Sequence, residues 1–592
     1  MEHPFISVIL PLAIGWEPVY RAGEEFRVGD RVLAPLSGRT YSAVVSALLT
    51  EPGMDESKLR TVKRTEGHFD RISPEEIAFW RELANYYLCT VGEVFKAAYP
   101  SVRIKGEEVS SRQTDRLAAK LHKARERLAV ARKDSTRERY AAEISATEAA
   151  LSKLGALPCR IPRIGADEGT EKILQALSPG KPVLLSGNSP ERIPPMMLPL
   201  ISRTLSEGKS VLYLVPEIRA GEDTGESLRE AFPDAIRYHS RISDVERREA
   251  AGLVRSGGPR LVIGTRSTLF LPFSRLGLVI VTEEQSPSYK QDSPAPRYNA
   301  RDAAIMLSRI HGAEVILTSL TPSLESVQNV RSGRYSSVAG QSAPLRCRTV
   351  VIDTAAERRK HGMNGNFSLK LLDLISRTEG KVLIMEKYLE EELRALLPDA
   401  EGKLRFGLDE GMFGNDFSGI SLVASVQTDR YLSRQDFRAD ERAWQLLREF
   451  SQFCVRDGRK GVFVIQTRQP GHPVIQLLAK GEDASEALLA ERKAFSYPPF
   501  TRMVDVIVRD VNLKRLELLS KDLAGLIGSS LDGVIVTGSF SRTEEGTERV
   551  IRLLFPRDRQ LRQRKETLLS IVGGYEKDRR YTGHVFLDAD PR

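Results

Sequence analysis

Short apolar runs recur at Val183, Val211, Leu261, Leu278 and Val315, with helix-patterned stretches between them. Runs that are apolar on both faces belong to strands covered on both sides. Strands that alternate with helices must pair in parallel, because each crossover carries the chain back to the same end of the sheet. The pattern predicts an α/β lobe over residues 166–335, and further runs at Val382, Ser421 and Val462 predict a second, reduced lobe over 336–485. Ahead of them, residues 1–105 carry short alternating strands (Phe5 to Leu10, Arg31 to Ala34, Tyr41 to Leu48) and a helix from Pro74 to Leu88, which predicts a small β-rich domain. Behind them, Met503 to Val508, Val534 to Gly538 and Val550 to Phe555 flank a helix from Leu513 to Leu526 and predict an α+β domain over 486–592. A chain of 592 residues has room for these cores and for a linker at 106–165.

The turn after the first apolar strand reads Ser186-Gly187-Asn188-Ser189-Pro190-Glu191-Arg192-Ile193-Pro194-Pro195. A phosphate-binding turn at this place needs glycine for close backbone approach, Lys for the β/γ-phosphates and a Ser/Thr hydroxyl for Mg²⁺. Gly187 is present, but no G-x-x-x-x-G-K-[ST] occurs anywhere in the chain.

Further motifs follow in fixed order: Pro216-Glu217-Ile218, His239-Ser240, Gly264-Thr265-Arg266-Ser267, Thr282-Glu283-Glu284-Gln285, Tyr289-Lys290-Gln291, Arg297-Tyr298-Asn299-Ala300-Arg301 and Thr318-Ser319-Leu320-Thr321-Pro322-Ser323. In this order and spacing the chain resembles the PriA (primosomal protein N′) family of superfamily-2 replication-restart helicases. The resemblance extends to Arg31-Val32-Leu33-Ala34-Pro35 and Asn85-Tyr86-Tyr87-Leu88-Cys89 at the N-terminal end, and to Tyr497-Pro498-Pro499-Phe500 and Asp588-Ala589-Asp590-Pro591 at the other. It implies two RecA-like lobes, an N-terminal 3′-DNA-binding domain and an α+β C-terminal domain.

Departures from the family fall at the nucleotide site. The degenerate positions are Gly187, Ile193 (for Lys), Pro194 (for Thr) and Thr282 (for the Mg²⁺-binding Asp), while Glu283 and Arg456 remain as catalytic remnants. Phosphoryl transfer rests on positioning and charge neutralisation, so these changes together argue against turnover. ATP and Mg²⁺ are expected only if the site is unorthodox. The family's zinc module of paired C-x-x-C motifs is missing. Of Cys89, Cys159, Cys347 and Cys454, no two lie within four residues, so no zinc is expected, although distant thiols could still converge.

Charge narrows the partners. Lys plus Arg number 88 against 79 Asp plus Glu, a net +9 that favours polyanions only weakly. Its placement is more telling: Arg112 to Arg139 reads as a basic amphipathic helix, including Arg125 and Arg127, followed by a second helix capped at Ser135 by Glu138 and running to Ala149. This helical pair stands where the family has a winged helix, and it is either a phosphate-tracking arm or a solvated charged face. In the family a loop between motifs senses single strands. Here Tyr289, Lys290, Arg297, Tyr298 and Arg301 stand in it, with Arg266 at a strand end, and the rings either stack on bases or pack the loop. Of the family's 3′-end pocket only Tyr20 and a basic residue, Arg39, survive, with Trp16 nearby.

No apolar run approaches the roughly 20 residues of a membrane span, and the chain is expected in the cytoplasm. The resemblance implies a primosome protein that recognises branched fork DNA, reloads the replication machinery and partners single-stranded-DNA-binding protein, here without ATP-driven unwinding. An active ATP-dependent 3′-to-5′ helicase is the alternative, and a docking scaffold that binds no DNA is a third.

Overall fold

The computed structural model describes residues 3–65, 71–99, 111–131, 134–153, 160–188, 193–217, 226–340, 347–407, 419–432, 436–454, 461–541, 546–577 and 584–592. Strands β1 (Phe5–Ile9), β2 (Val19–Ala22), β3 (Arg31–Leu36), β4 (Arg39–Leu49) and β5 (Thr61–Arg64) close a barrel in the order β1-β2-β5-β3-β4. Sequence periodicity gave β1, β3 and β4 but not β2 and β5, which at four residues each are too short to show alternation. Closure depends on β4, long enough to pair with both β3 and β1, with a bulge at Ser7/Val8 bending the sheet.

Helix α1 (Pro74–Tyr87) starts at a Ser73–Glu76 capping box and buries Phe79, Trp80, Leu83 and Tyr87. Helix α2 (Val91–Ala98) closes on the end of β1. A Cβ on Gly92 would lie 2.2 Å from the carbonyl oxygens of Leu10 and Leu12, so only glycine permits that approach. Helices α3 (Ser111–Val130) and α4 (Asp134–Lys153) pack side by side as a hairpin. The second helix begins one residue before Ser135, which therefore lies within the helix instead of capping it.

The first lobe follows helix α5 (Glu168–Ala176). Its strands are β6 (Val183–Ser186), β7 (Ser210–Leu214), β8 (Ile236–Tyr238), β9 (Leu261–Gly264), β10 (Leu276–Val281), β11 (Glu314–Ser319) and β12 (Ser336–Ala339), with α6 (Ile193–Ser206) after β6. They form one sheet in the order β12-β6-β11-β10-β7-β9-β8, parallel throughout, so the lobe runs to Ala339. The second lobe is a five-stranded parallel sheet in the order Arg348–Asp353, Val462–Thr467, Ile420–Ser425, Lys381–Ile384, Leu404–Phe406. Its core also takes in Leu488 and Leu489 of the helix Ser485–Ala494, beyond the division drawn at 485. The last domain pairs Thr501–Arg509 antiparallel with Glu548–Pro556 and His584–Ala589, against the helix Leu513–Ser530.

One apolar cluster joins α1 and α2, one face of the first lobe and the last domain, including Trp80, Val279, Tyr298 and Val504. Among the described residues no helix is long and apolar enough to cross a membrane.

Candidate nucleotide cleft and nucleic-acid surface

The turn after β6 folds inward. Gly187 takes φ +85° and its N–H donates to Ser319 O at 3.0 Å. Asn188 is buried against Gly340, where any Cβ would sit 2.7 Å from its side-chain nitrogen. Ile193 opens α6 at 3 % exposure and packs among Leu185, Met197, Leu200 and Tyr213. Pro194 is buried beside it and Pro195 follows. A helix N-terminus binds phosphate through its free N–H groups, and two prolines in the first turn remove two of them. An ammonium at position 193 would have to leave the core to reach a phosphate.

Thr282 follows β10 with both its N–H (3.0 Å) and its hydroxyl (3.1 Å) donated to Leu214 O, so a neutral hydroxyl stands where the resemblance puts a Mg²⁺-binding carboxylate. Glu283 turns at φ +48°, a left-handed conformation that a non-glycine residue adopts only where its surroundings hold it. Glu284 is buried and accepts from Ser323 N (2.7 Å), Ser323 Oγ (2.9 Å) and the Arg301 guanidinium (3.0 Å). The Gln285 amide spans the two lobes. Its oxygen accepts from Ser319 Oγ at 2.6 Å, and its nitrogen donates at 2.8 Å to Glu449 on the second-lobe helix Ala439–Ser451. Burial, and then the charge of Glu283, push the Glu449 carboxyl up to about 7. Glu449 is thus near enough to Glu283 to feel its charge. At the positions that resemblance assigns to ATP and Mg²⁺, Ile193, Pro194 and Thr282 present neither an ammonium nor a carboxylate. Glu449 drew no notice in sequence, since its partner Gln285 lies 164 residues away. Arg456 falls outside the described residues.

The loop expected to stack bases faces inward. Tyr289 is fully buried with its hydroxyl 2.7 Å from Thr282 O, and Tyr298, at 2 % exposure, donates to Arg266 O at 3.2 Å and meets the Phe270 ring edge-on. Neither ring has an open face, the placement that the packing alternative describes. Lys290 is buried as well. Its ammonium donates to Asp588 Oδ1, Ala589 O and Arg297 O, each at 2.7 Å. Arg301 pairs with Glu284 and Asp302, Arg266 donates to Lys290 O at 2.7 Å, and Arg297 donates to Asp292 O and lies over the Phe586 ring. Lys290 and Arg297 thus join the first lobe to the last domain, whereas Arg301 and Arg266 bond within the first lobe.

In the barrel, Tyr20 is buried and its hydroxyl donates to Pro35 O at 3.1 Å, whereas Arg39 is exposed just past the Ser37-Gly38 turn and Trp16 is 56 % exposed. On the arm, Arg125 is tied to Glu148 at 2.6 Å, while Arg127 is exposed. Among the described residues no group of His, Cys, Asp and Glu could hold a metal. Cys347 and Cys454 do converge: the Cys454 thiol donates to Ser451 O at 3.1 Å, and its nearness is the leading cause that lowers the Cys347 pKa. Cys159 lies outside the described residues.

The chain is thus built of two parallel-sheet lobes that meet at their motif turns, behind an N-terminal β-barrel. Residues 7–100 match the family described as the 3′DNA-binding domain of PriA. Over most of its length the chain resembles PriA proteins. It is 27 % identical to replication restart protein PriA of Haemophilus influenzae, covering 80 % of this chain and 83 % of that one, and 25 % identical to that of Treponema pallidum, covering 86 % and 87 %. The solved E. coli DExH-box NTPase HrpB superposes with a TM-score of 0.35 at 16 % identity over 62 % of this chain and 50 % of that one, so the two-lobe reading stands on the sheet orders.

Proposed function

We propose that this protein acts in replication restart, binding branched fork DNA through its N-terminal domain and serving as a platform for reloading the replication machinery without ATP-driven unwinding. The observation that carries the second half is Ile193, built into the apolar core of an otherwise complete lobe at the position where a motor keeps its phosphate-binding lysine. The 3′DNA-binding domain match over residues 7–100 and the likeness to replication restart proteins support the first half. Single-stranded-DNA-binding protein and other primosome proteins are the partners this role implies. The retained Glu283 favours the other reading, a working 3′-to-5′ helicase with an unorthodox phosphate site.

Fork recognition is tested with a forked duplex that carries a free 3′ end at a single-stranded gap, measured against plain duplex and against the same fork with its 3′ end removed. Preference for the gapped fork is expected, with affinity falling as salt rises because each neutralised phosphate releases counterions. Equal affinity for fork and duplex contradicts the role.

A further inference from the structure

The α3/α4 hairpin carries an organised charge surface. Its seam is apolar, with Leu121, Ala124 and Leu151 buried. Two ion pairs close across it, Arg125 with Glu148 at 2.6 Å and Lys120 with Glu143 at 3.7 Å. On α3, Arg116, Lys120, Lys123 and Arg127 follow one another at spacings of four, three and four residues, which puts them on one face, and all four are exposed. The seam residues Leu117, Leu121, Ala124 and Leu128 each come one position later, about 100° around the helix, so the basic row flanks the seam and stays open to solvent. Arg125 lies on the opposite side of the helix from the row. Among the described residues no ion pair engages Arg116, Lys123 or Arg127.

We propose that this row lies along the phosphate backbone of duplex DNA. From Arg116 to Arg127 it spans about 16 Å of rigid helix, the axial run of about five phosphates on one strand. The choice of duplex over single strand rests on what α3 lacks. Single strands are held by aromatic rings that stack on bases, and α3 contains no Phe, Tyr or Trp. Long flexible cations with no ring or amide among them neutralise phosphates and read no sequence. The inference rests on the DNA-binding reading above and adds a second, duplex-directed surface to it.

The test uses the full-length protein on the gapped fork, on plain duplex and on a 3′-tailed single strand. Arg116→Gln, Lys123→Gln and Arg127→Gln together should make the log–log salt dependence on duplex and fork shallower by about 2 to 3. The affinity lost between 50 and 200 mM salt then shrinks by about forty-fold, while binding to the single strand is unchanged. Arg116→Lys with Arg127→Lys should keep the parent slope. Lys123→Gln alone should flatten it by about 0.9, whereas Arg125→Gln, the same single-charge change on the opposite side of the helix, should leave it nearly unaltered. The inference is overturned if the triple variant binds fork and duplex with the parent slope, as it would if the row served an acidic protein partner, or if Arg125→Gln flattens the slope as much as Lys123→Gln. If the parent binds no fork at all, the DNA-binding reading itself fails.

Discussion

Tyr298 and Lys290 show how a side chain's direction decides between function and packing. Both stand in a loop whose composition suits nucleic acid, yet both are almost wholly enclosed. Tyr298→Ala should therefore lower stability by about 3 to 5 kcal/mol, as expected for deleting a buried ring, and leave fork affinity per folded molecule unchanged. Chemical denaturation alongside a binding titration separates this from a stacking role, which would cost affinity instead, roughly 1 to 3 kcal/mol per base. Lys290→Ala leaves the Asp588 carboxylate buried without its cation and should cost about 3 to 5 kcal/mol, whereas Lys290→Met with Asp588→Leu should recover much of that loss. The loop was legible in sequence as to residue type and order. Its orientation was not, because the carboxylate that draws Lys290 inward is 298 residues away.

At the scale of elements, the seam between the motif turn after β10 and the helix Ala439–Ser451 is built on a carboxyl that titrates near neutrality. The folded value of Glu449 is about 7, above its ordinary carboxylate value. A raised folded value means that its contribution to stability is fully present below the unfolded pKa and is lost as pH rises through about 7. Glu449→Gln keeps an acceptor for Gln285 but cannot ionise. It should match the parent near pH 4 and exceed its stability at pH 8 by about 2 to 4 kcal/mol. Denaturation curves across that range check the sign, and a parent that gains on the variant as pH rises would contradict it. At α6, Ile193→Lys should destabilise by several kcal/mol, since it exchanges a core side chain for an unpaired ammonium. The strands of both lobes were readable because parallel strands buried on both faces are apolar throughout. The short barrel strands β2 and β5 and the inward fold at Gly187 were not, because they depend on partners distant in sequence.

Considered whole, the molecule is a two-lobed α/β frame whose parts are tied together. One apolar cluster runs from α1 through the first lobe into the last domain, the Lys290–Asp588 pair reinforces it, and Gln285–Glu449 joins the two lobes. A frame of this kind can hold DNA in place without cycling on nucleotide. The direct test is phosphate release from ATP and Mg²⁺ with and without gapped fork DNA, with fork affinity measured in the same samples. Release is expected at buffer background, with one fork affinity whether ATP is present or absent. DNA-stimulated release that disappears in Glu283→Gln would contradict it.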